Sequence, residues 1–225
     1  MSRFALDHAS AEYKEARARL LVAEGALRDR AEEVAALRRA LPADTPVPQD
    51  YTFAELVGGK RRTVTLSDLF GAQPTLILMH FMWAPADDEP CPMCALWADG
   101  YDGVQPHLRR RTAFAVAVKK DIESMAAFAA RRGWTGLRLV SSAGTSFNRD
   151  FGMEDEDEGQ RPGVSVFIRA DDGSVRHFYT VSAGLGDGSF RGMDLLSPVW
   201  NYLDLLPHGR GEFMPKIAYC AGAAA

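Results

Sequence analysis

The run Thr75 to Trp83 (TLILMHFMW) is almost continuously apolar. A strand with one wet face alternates apolar and polar residues, so an unbroken run demands cover on both faces. That is the place of a central strand in a layered α/β sheet. Around it the alternation repeats: Thr112 to Val118 (TAFAVAV) is expected as a second strand, Ile122 to Arg132 as a helix begun near Asp121 and stopped at Gly133, and Leu137 to Val140 as a third strand. Val164 to Arg169 and Val175 to Thr180 read as a hairpin through Asp172-Gly173. Leu195 to Leu206 reads as a last helix started at Pro198. Upstream, Tyr51 to Val57 and Arg62 to Leu66 form an expected hairpin around Gly58-Gly59, with a short turn capped by Ser67 after it.

The first segment has a different character. From about Ser10 to Leu41, the residues Tyr13, Ala16, Leu20, Ala23, Leu27, Val34 and Leu37 recur at spacings of three, four or seven, the stripe of one long helix. Such a stripe packs on its own domain or on a neighbouring subunit, and a homodimer through this helix is one expected arrangement. Pro42, Pro46 and Pro48 stop the helix and stiffen a linker. Residues 1–48 are therefore expected as a helical arm and linker, and 49–225 as the α/β domain.

Charge and composition exclude several classes. A formal net charge of −4 offers no basic face for nucleic acid. No apolar run approaches the roughly 20 residues of a membrane-spanning helix. Met1 to Ser10 carries Arg3, Asp7 and His8 without an apolar core, so no secretion signal is expected and the expected compartment is the cytoplasm. Three cysteines are too few for a disulfide scaffold, and two of them, Cys91 and Cys94, stand three residues apart.

The central strand delivers the chain, through a loop holding Pro85, Asp87, Asp88, Glu89 and Pro90, to Cys91-Pro92-Met93-Cys94. The composition from Cys94 to about Leu108 favours a helix, with Gly100 and Gly103 expected to break or bend it. Unpaired N–H groups at a helix start stabilise a thiolate, so Cys91 is the expected attacking sulfur and Cys94, one turn deeper, the resolving one. Pro92 suits a first helical turn, where its missing N–H costs nothing. Met93 adds a polarisable apolar contact. The three acidic residues before Cys91 oppose a thiolate by an amount comparable to the helix-terminus effect, which leaves the sign of the shift open. Zinc is the competing chemistry for the pair, but a closed site needs four ligands. Cys220, His80, His107, His177 and His208 form no second spaced pair, and no metal or other cofactor is expected.

Strand–helix–strand–helix–strand followed by an antiparallel hairpin is the element order of a thioredoxin-like fold: a central mixed sheet flanked by helices, here preceded by the long helix. A closer resemblance covers nearly the whole chain. The segments ARARLLVAE (Ala16 to Glu24), RRALP (Arg38 to Pro42), HFMWAP (His80 to Pro85), CPMCALWADGYDG (Cys91 to Gly103), GW (Gly133-Trp134), SSAGTSFNRDFGM (Ser141 to Met153), PGVSVF (Pro162 to Phe167) and LDLLPHGRGE (Leu203 to Glu212) resemble, in order, the bacterial domain-of-unknown-function 899 family. That family is described as thioredoxin-like predicted dithiol–disulfide oxidoreductases. The resemblance implies a redox dithiol acting on a disulfide in a protein or small molecule, with a separate electron donor. The strand ending in Trp83-Ala84 also looks similar to peroxiredoxin-like proteins, which implies a thiol peroxidase as the alternative enzyme. A non-catalytic thioredoxin-fold protein that binds a ligand or metal is the other alternative. Thioredoxins place a cis-proline just before the hairpin strand facing the dithiol. Here Gly163 and Val164 follow Pro162, so Val164-Ser165 is expected to face Cys91 and Pro162 is not expected to be cis.

Other residues are expected to support the site. His80, in an apolar strand, is either a core histidine bonded to backbone or a proton relay to the dithiol. Trp83 and Trp97 are expected as pocket walls, and Asp99 as a local cap or hydrogen-bonding residue. Ser141, Ser142, Asn148 and Asp150 lie beyond the third strand, where loops at the carboxyl ends of a sheet gather round ligands, and otherwise serve as turn and cap residues. The acidic run Glu154 to Glu158 is expected as a solvated mobile loop, and Gly184 to Gly192 as a flexible one.

Overall fold

The computed structural model describes residues 6–157, 159–186 and 188–219. The chain forms two compact units, Met1–Pro42 and Ala43–Ala225. The first holds one helix, α1 (Ala11–Arg39), whose amino end is capped by Ser10 Oγ accepting from the Tyr13 N–H. Taken by itself, α1 buries none of its residues. The boundary falls after Pro42 rather than Pro48, because Thr45 and Pro46 form a short strand, β1 (Thr45–Pro46), paired with His177 and Arg176.

The second unit continues with β2 (Thr52–Val57), β3 (Lys60–Thr65), α2 (Leu66–Leu69), β4 (Thr75–Phe81), α3 (Pro92–Leu108), β5 (Ala113–Val118), α4 (Ile122–Arg132), β6 (Arg138–Ser141), α5 (Phe147–Asp150), β7 (Glu154–Asp155), β8 (Gly159–Gln160), β9 (Gly163–Arg169), β10 (Val175–Ser182), a 3-10 turn at Asp194–Leu196 and α6 (Pro198–Leu203). Eight strands make one sheet in the order β1-β10-β9-β4-β5-β6-β2-β3. The strands β4, β5 and β6 are parallel, whereas β9 runs antiparallel to β4 and β10 to β9. A βαβαβ half joined to a hairpin beside its first strand is the thioredoxin-like arrangement.

Side chains alternate across a strand, and the alternation divides the core in two. Met79 and Phe81 of β4, Val116 and Val118 of β5 and Val164 of β9 pack under α3 and α4, with Ile122, Met125 and Phe128. Leu76, Leu78, Ala115, Ala117 and Phe167 face the other way, against Tyr51, Phe53, Leu66 and Phe147. Full burial of each Val, Leu, Ile, Met or Phe side chain here contributes about 1.5–3 kcal/mol. Local signals place the element ends. Asp121 accepts from the Ser124 N–H at 2.7 Å to start α4, and Gly133, at φ 77°, ends it in the left-handed region. Gly58 and Gly59 both have positive φ, 57° and 77°, which the tight β2–β3 turn requires. Buried Glu55 of β2 binds Arg62 of β3 and Arg138 of β6, tying three strands together. Burial alone would raise its carboxyl, but the two guanidinium groups hold it below the usual range.

Four expectations need correction. Gly100 and Gly103 do not break α3, which runs unbroken to Leu108 even through Pro106. Gly100 instead admits Pro198, whose Cδ would lie 3.4 Å from an added Cβ. The last helix is only Pro198–Leu203, because the 3-10 turn and Ser197 precede it and Asp204, bound by Arg210, follows. Thr65 rather than Ser67 caps α2, in a reciprocal pair with Asp68. The acidic run is partly ordered: β7 pairs with β8, Lys119 Nζ donates to both Glu154 oxygens at 2.7 Å, and Arg161 binds Asp155.

Candidate dithiol site

β4 ends at Phe81, and ten residues later Cys91 caps α3. The intervening acidic loop is held from both sides. Trp83 Nε1 donates to the Asp87 carbonyl at 3.0 Å, and Lys120 Nζ donates to the carbonyls of Pro85 and Asp87, each at 2.8 Å. The Lys120 ammonium also lies 5.7 Å from the Trp83 ring centre. Thus pinned, Asp87, Asp88 and Glu89 stay exposed.

Met82 brackets the two cysteines with its backbone. Its carbonyl accepts the Cys91 N–H at 3.1 Å, and its N–H points at Cys94 Sγ at 3.5 Å. Within the turn, the Cys94 N–H points at Cys91 Sγ, also at 3.5 Å. Both thiols are free. Cys91 is half-buried at the helix mouth, while Cys94 is fully buried in the α3–α4 core. The Cys94 thiol donates to the Cys91 sulfur, and the backbone N–H groups of Cys94 and Met93 add to it; together they outweigh burial and lower the Cys91 pKa to about 6. Burial and the neighbouring Cys91 push Cys94 well up. The pair therefore consists of an outer thiolate and an inner protonated thiol at neutral pH. The sign left open by the sequence is decided by these short-range donors; exposed carboxylates lose most of their effect to water.

The structure brings only some of the expected site residues together. Cys91, Met93, Cys94, Trp97, Trp83 and Val164 belong to one apolar cluster under α3. Pro92 occupies the first helical position and is exposed. His80 and Ser165 sit on the opposite face of the sheet. His80 Nε2 is 2.8 Å from Ser165 Oγ, its ring stacks on Phe147 at 5.3 Å, and burial lowers its pKa to about 3. The partner is a side-chain hydroxyl rather than backbone, and the sheet stands between this imidazole and the dithiol. Of the Val164-Ser165 pair, only Val164 faces the dithiol side. No cis peptide bond occurs among the described residues, so Pro162 is trans.

The polar group beyond β6 is internally satisfied. Ser141 Oγ donates to the Lys120 carbonyl at 2.7 Å, Ser142 Oγ to Asn148 Oδ1 at 3.1 Å, and Tyr51 Oη to Asp150 at 2.6 Å. These contacts fasten loops and α5 to the sheet. Asp99 receives Trp134 Nε1 at 2.7 Å and pairs with Arg132, joining α3 to the end of α4. Among the described residues no three His, Cys, Asp or Glu side chains gather at metal-binding range. Cys220 lies outside the described residues.

Beside Met93 opens a groove of about 1110 Å³. Its apolar lining includes Met82, Met93, Trp97, Met153, Phe190 and Phe213. Arg210 fastens one wall by pairing with Asp194 at 2.9 Å and binding Asp204. Gln160, two residues past the acidic run, accepts the Trp83 N–H at 3.1 Å and joins β8 to the segment that follows β4. Sequence reasoning missed Met82, Met153 and Gln160. Met82 acts through its backbone, and nothing in the acidic composition around Gln160 marks it. Gly163 did carry a signal, a glycine between a proline and an apolar strand. A Cβ there would lie 2.8 Å from the Val181 carbonyl and collide with Met153 Sδ. Gly163→Ala is expected to destabilise the protein by about 1–3 kcal/mol, read from the urea midpoint.

The profile of the bacterial proteins of unknown function named DUF899 matches residues 6–221. The chain belongs to this family. A search of curated proteins finds no match. Among solved structures, the mitochondrial 2-Cys peroxiredoxin of Plasmodium falciparum is 14% identical, with a TM-score of 0.45, over 76% of this chain and 99% of that one. Peroxidoxin BcpB of Mycobacterium tuberculosis is 18% identical, with a TM-score of 0.47, over 69% and 93%. The pneumococcal exposed lipoprotein thioredoxin Etrx1 of Streptococcus pneumoniae is 15% identical, with a TM-score of 0.42, over 66% and 98%. No helix among the described residues of this DUF899 chain is long and apolar enough to cross a membrane.

Proposed function

We propose that the protein is a thiol–disulfide oxidoreductase in which Cys91 attacks and Cys94 resolves. The observation that carries this reading is the geometry of one helical turn: half-buried Cys91 caps α3 with the Cys94 N–H aimed at its Sγ at 3.5 Å, and Cys94 lies buried one turn deeper. The Cys91 thiolate attacks one sulfur of a substrate disulfide, and the other substrate sulfur leaves as a thiolate that takes a proton from water. Cys94 then gives up its proton and attacks the Cys91 sulfur, expelling the second substrate thiol and closing the Cys91–Cys94 bond. The substrate gains two electrons and the protein loses them; an external dithiol returns them.

The groove beside Met93 supports a polypeptide substrate. Flexible methionines accommodate varied apolar side chains, and Met82, Met93 and Met153 all line it. Reduced protein mixed with insulin is expected to consume close to one disulfide per chain and to lose both reactive thiols of the pair. Cys220 is counted separately by peptide mass. If insulin stays intact while a hydroperoxide oxidises the pair, the peroxidase reading replaces this one. Inertness toward both overturns both.

A further inference from the structure

We propose that α1 forms a parallel, in-register, two-stranded coiled coil with α1 of a second copy of this chain. The helix runs for 29 residues, about 43 Å, and carries a heptad rather than a loose stripe. Tyr13, Leu20, Leu27 and Val34 recur at intervals of seven, as do Ala16, Ala23, Arg30 and Leu37 three residues further on. These are the two seam positions of a left-handed coil. Four large side chains of this seam are open, Tyr13 47% exposed, Leu20 52%, Leu27 70% and Leu37 65%, and Val34 is half-buried. An apolar line of this length in water marks an interaction face.

Charges beside the seam identify the occupant. In a parallel in-register pair, the residue just before each first seam position meets the residue five places on in the other helix. Those pairs are Glu12 with Arg17, Arg19 with Glu24, Ala26 with Ala31, and Glu33 with Arg38. Every charged pair is opposite in sign, and the remaining pair is neutral. A chain evolved for a different partner has no reason to complement itself at each step. Arg30 is the one charged seam residue, and Glu33 pairs with it at 2.7 Å within the helix. The small Ala16 and Ala23 let the helices approach closely.

Sedimentation equilibrium of the full chain at tens of micromolar tests the proposal. The expected mass is twice 24.7 kDa. Arg19→Glu sets like charges together twice per dimer and is expected to weaken association about tenfold. Adding Glu24→Arg is expected to restore it. The double variant loses two pairs within the helix, Glu15–Arg19 and Arg17–Glu24, so recovery can come only from pairing between helices. Leu20→Cys is expected to give, on mild oxidation, a covalent dimer whose disulfide joins the two copies at position 20, mapped by peptide mass apart from Cys91, Cys94 and Cys220, because only parallel in-register helices bring identical seam positions together. Tryptophan emission checks folding of the second unit, which holds all four tryptophans. A monomeric parent chain, failure of the charge swap to restore association, or absence of the Leu20→Cys cross-link would each overturn the proposal.

Discussion

Cys94→Ser is expected to capture the substrate as a stable mixed disulfide on Cys91, while Cys91→Ser captures nothing and exchanges no disulfide. The asymmetry follows from position. Cys91 lies half-buried at the mouth of α3, and Cys94 is sealed in the core one turn deeper on the same helix. Without Cys94 the first attack proceeds and the second has no nucleophile. Without Cys91 the pair has no accessible thiolate, and turnover is expected to fall by about three orders of magnitude or more. Mass spectrometry of intact protein after incubation with insulin reads both results. Trapping on Cys94 in place of Cys91 would reverse the assigned roles. A third variant separates proton sharing from resolution: Cys94→Ala removes the donor to the Cys91 sulfur, so the alkylation midpoint of Cys91 is expected to rise from about 6. Serine, still a donor, is expected to raise it less.

The reduction potential of the pair is expected to change its pH slope near 6. Below that pH both thiols are protonated, and reduction takes up two electrons and two protons, a slope of about 59 mV per pH unit. Above it Cys91 is a thiolate while Cys94 stays protonated because its own value is raised. One proton then accompanies two electrons, and the slope halves to about 30 mV. The sign follows from the depressed Cys91 value. Thiolate stabilisation in the reduced, folded chain is complete above the ordinary thiol range and disappears as pH falls through about 6. At pH 7 it favours the reduced form by about tenfold over an ordinary thiol, or about 30 mV toward a more oxidising disulfide. Equilibration with glutathione buffers from pH 5 to 8 measures the slope. A straight line of about 59 mV throughout would show that Cys91 is not ionised there.

The sequence revealed the strands and the helix ends wherever a single residue determines the geometry. Asp121 and Gly133 bracket α4, Gly58-Gly59 turns β2 into β3, and the apolar run of β4 takes the centre of the sheet. It did not reveal which face of β4 the dithiol helix would cover. His80 alternates with Met79 and Phe81, so its side was set relative to theirs, but only the packing of α3 over Met79 and Phe81 decided that His80 lies away from Cys91. Ser165 and Val164 divide for the same reason. The loop preceding the pair left the sign of the Cys91 shift open, because three carboxylates and a helix start weigh about equally in sequence; the anchoring of Asp87 by Trp83 and Lys120 keeps those carboxylates in solvent.

The ends of the eight-stranded sheet bear on how this protein behaves at high concentration. An exposed strand edge is a template on which another chain can polymerise. At one end the last strand is β1, two residues long with a proline as its second, which leaves little ladder to extend. At the other, β3 opens with Lys60, Arg61 and Arg62 in solvent, so an approaching copy meets its own positive charge. β1 pairs with only Arg176 and His177 of the eight-residue β10, so cover at that end is partial, and crowding is expected to leave the β3 end unextended.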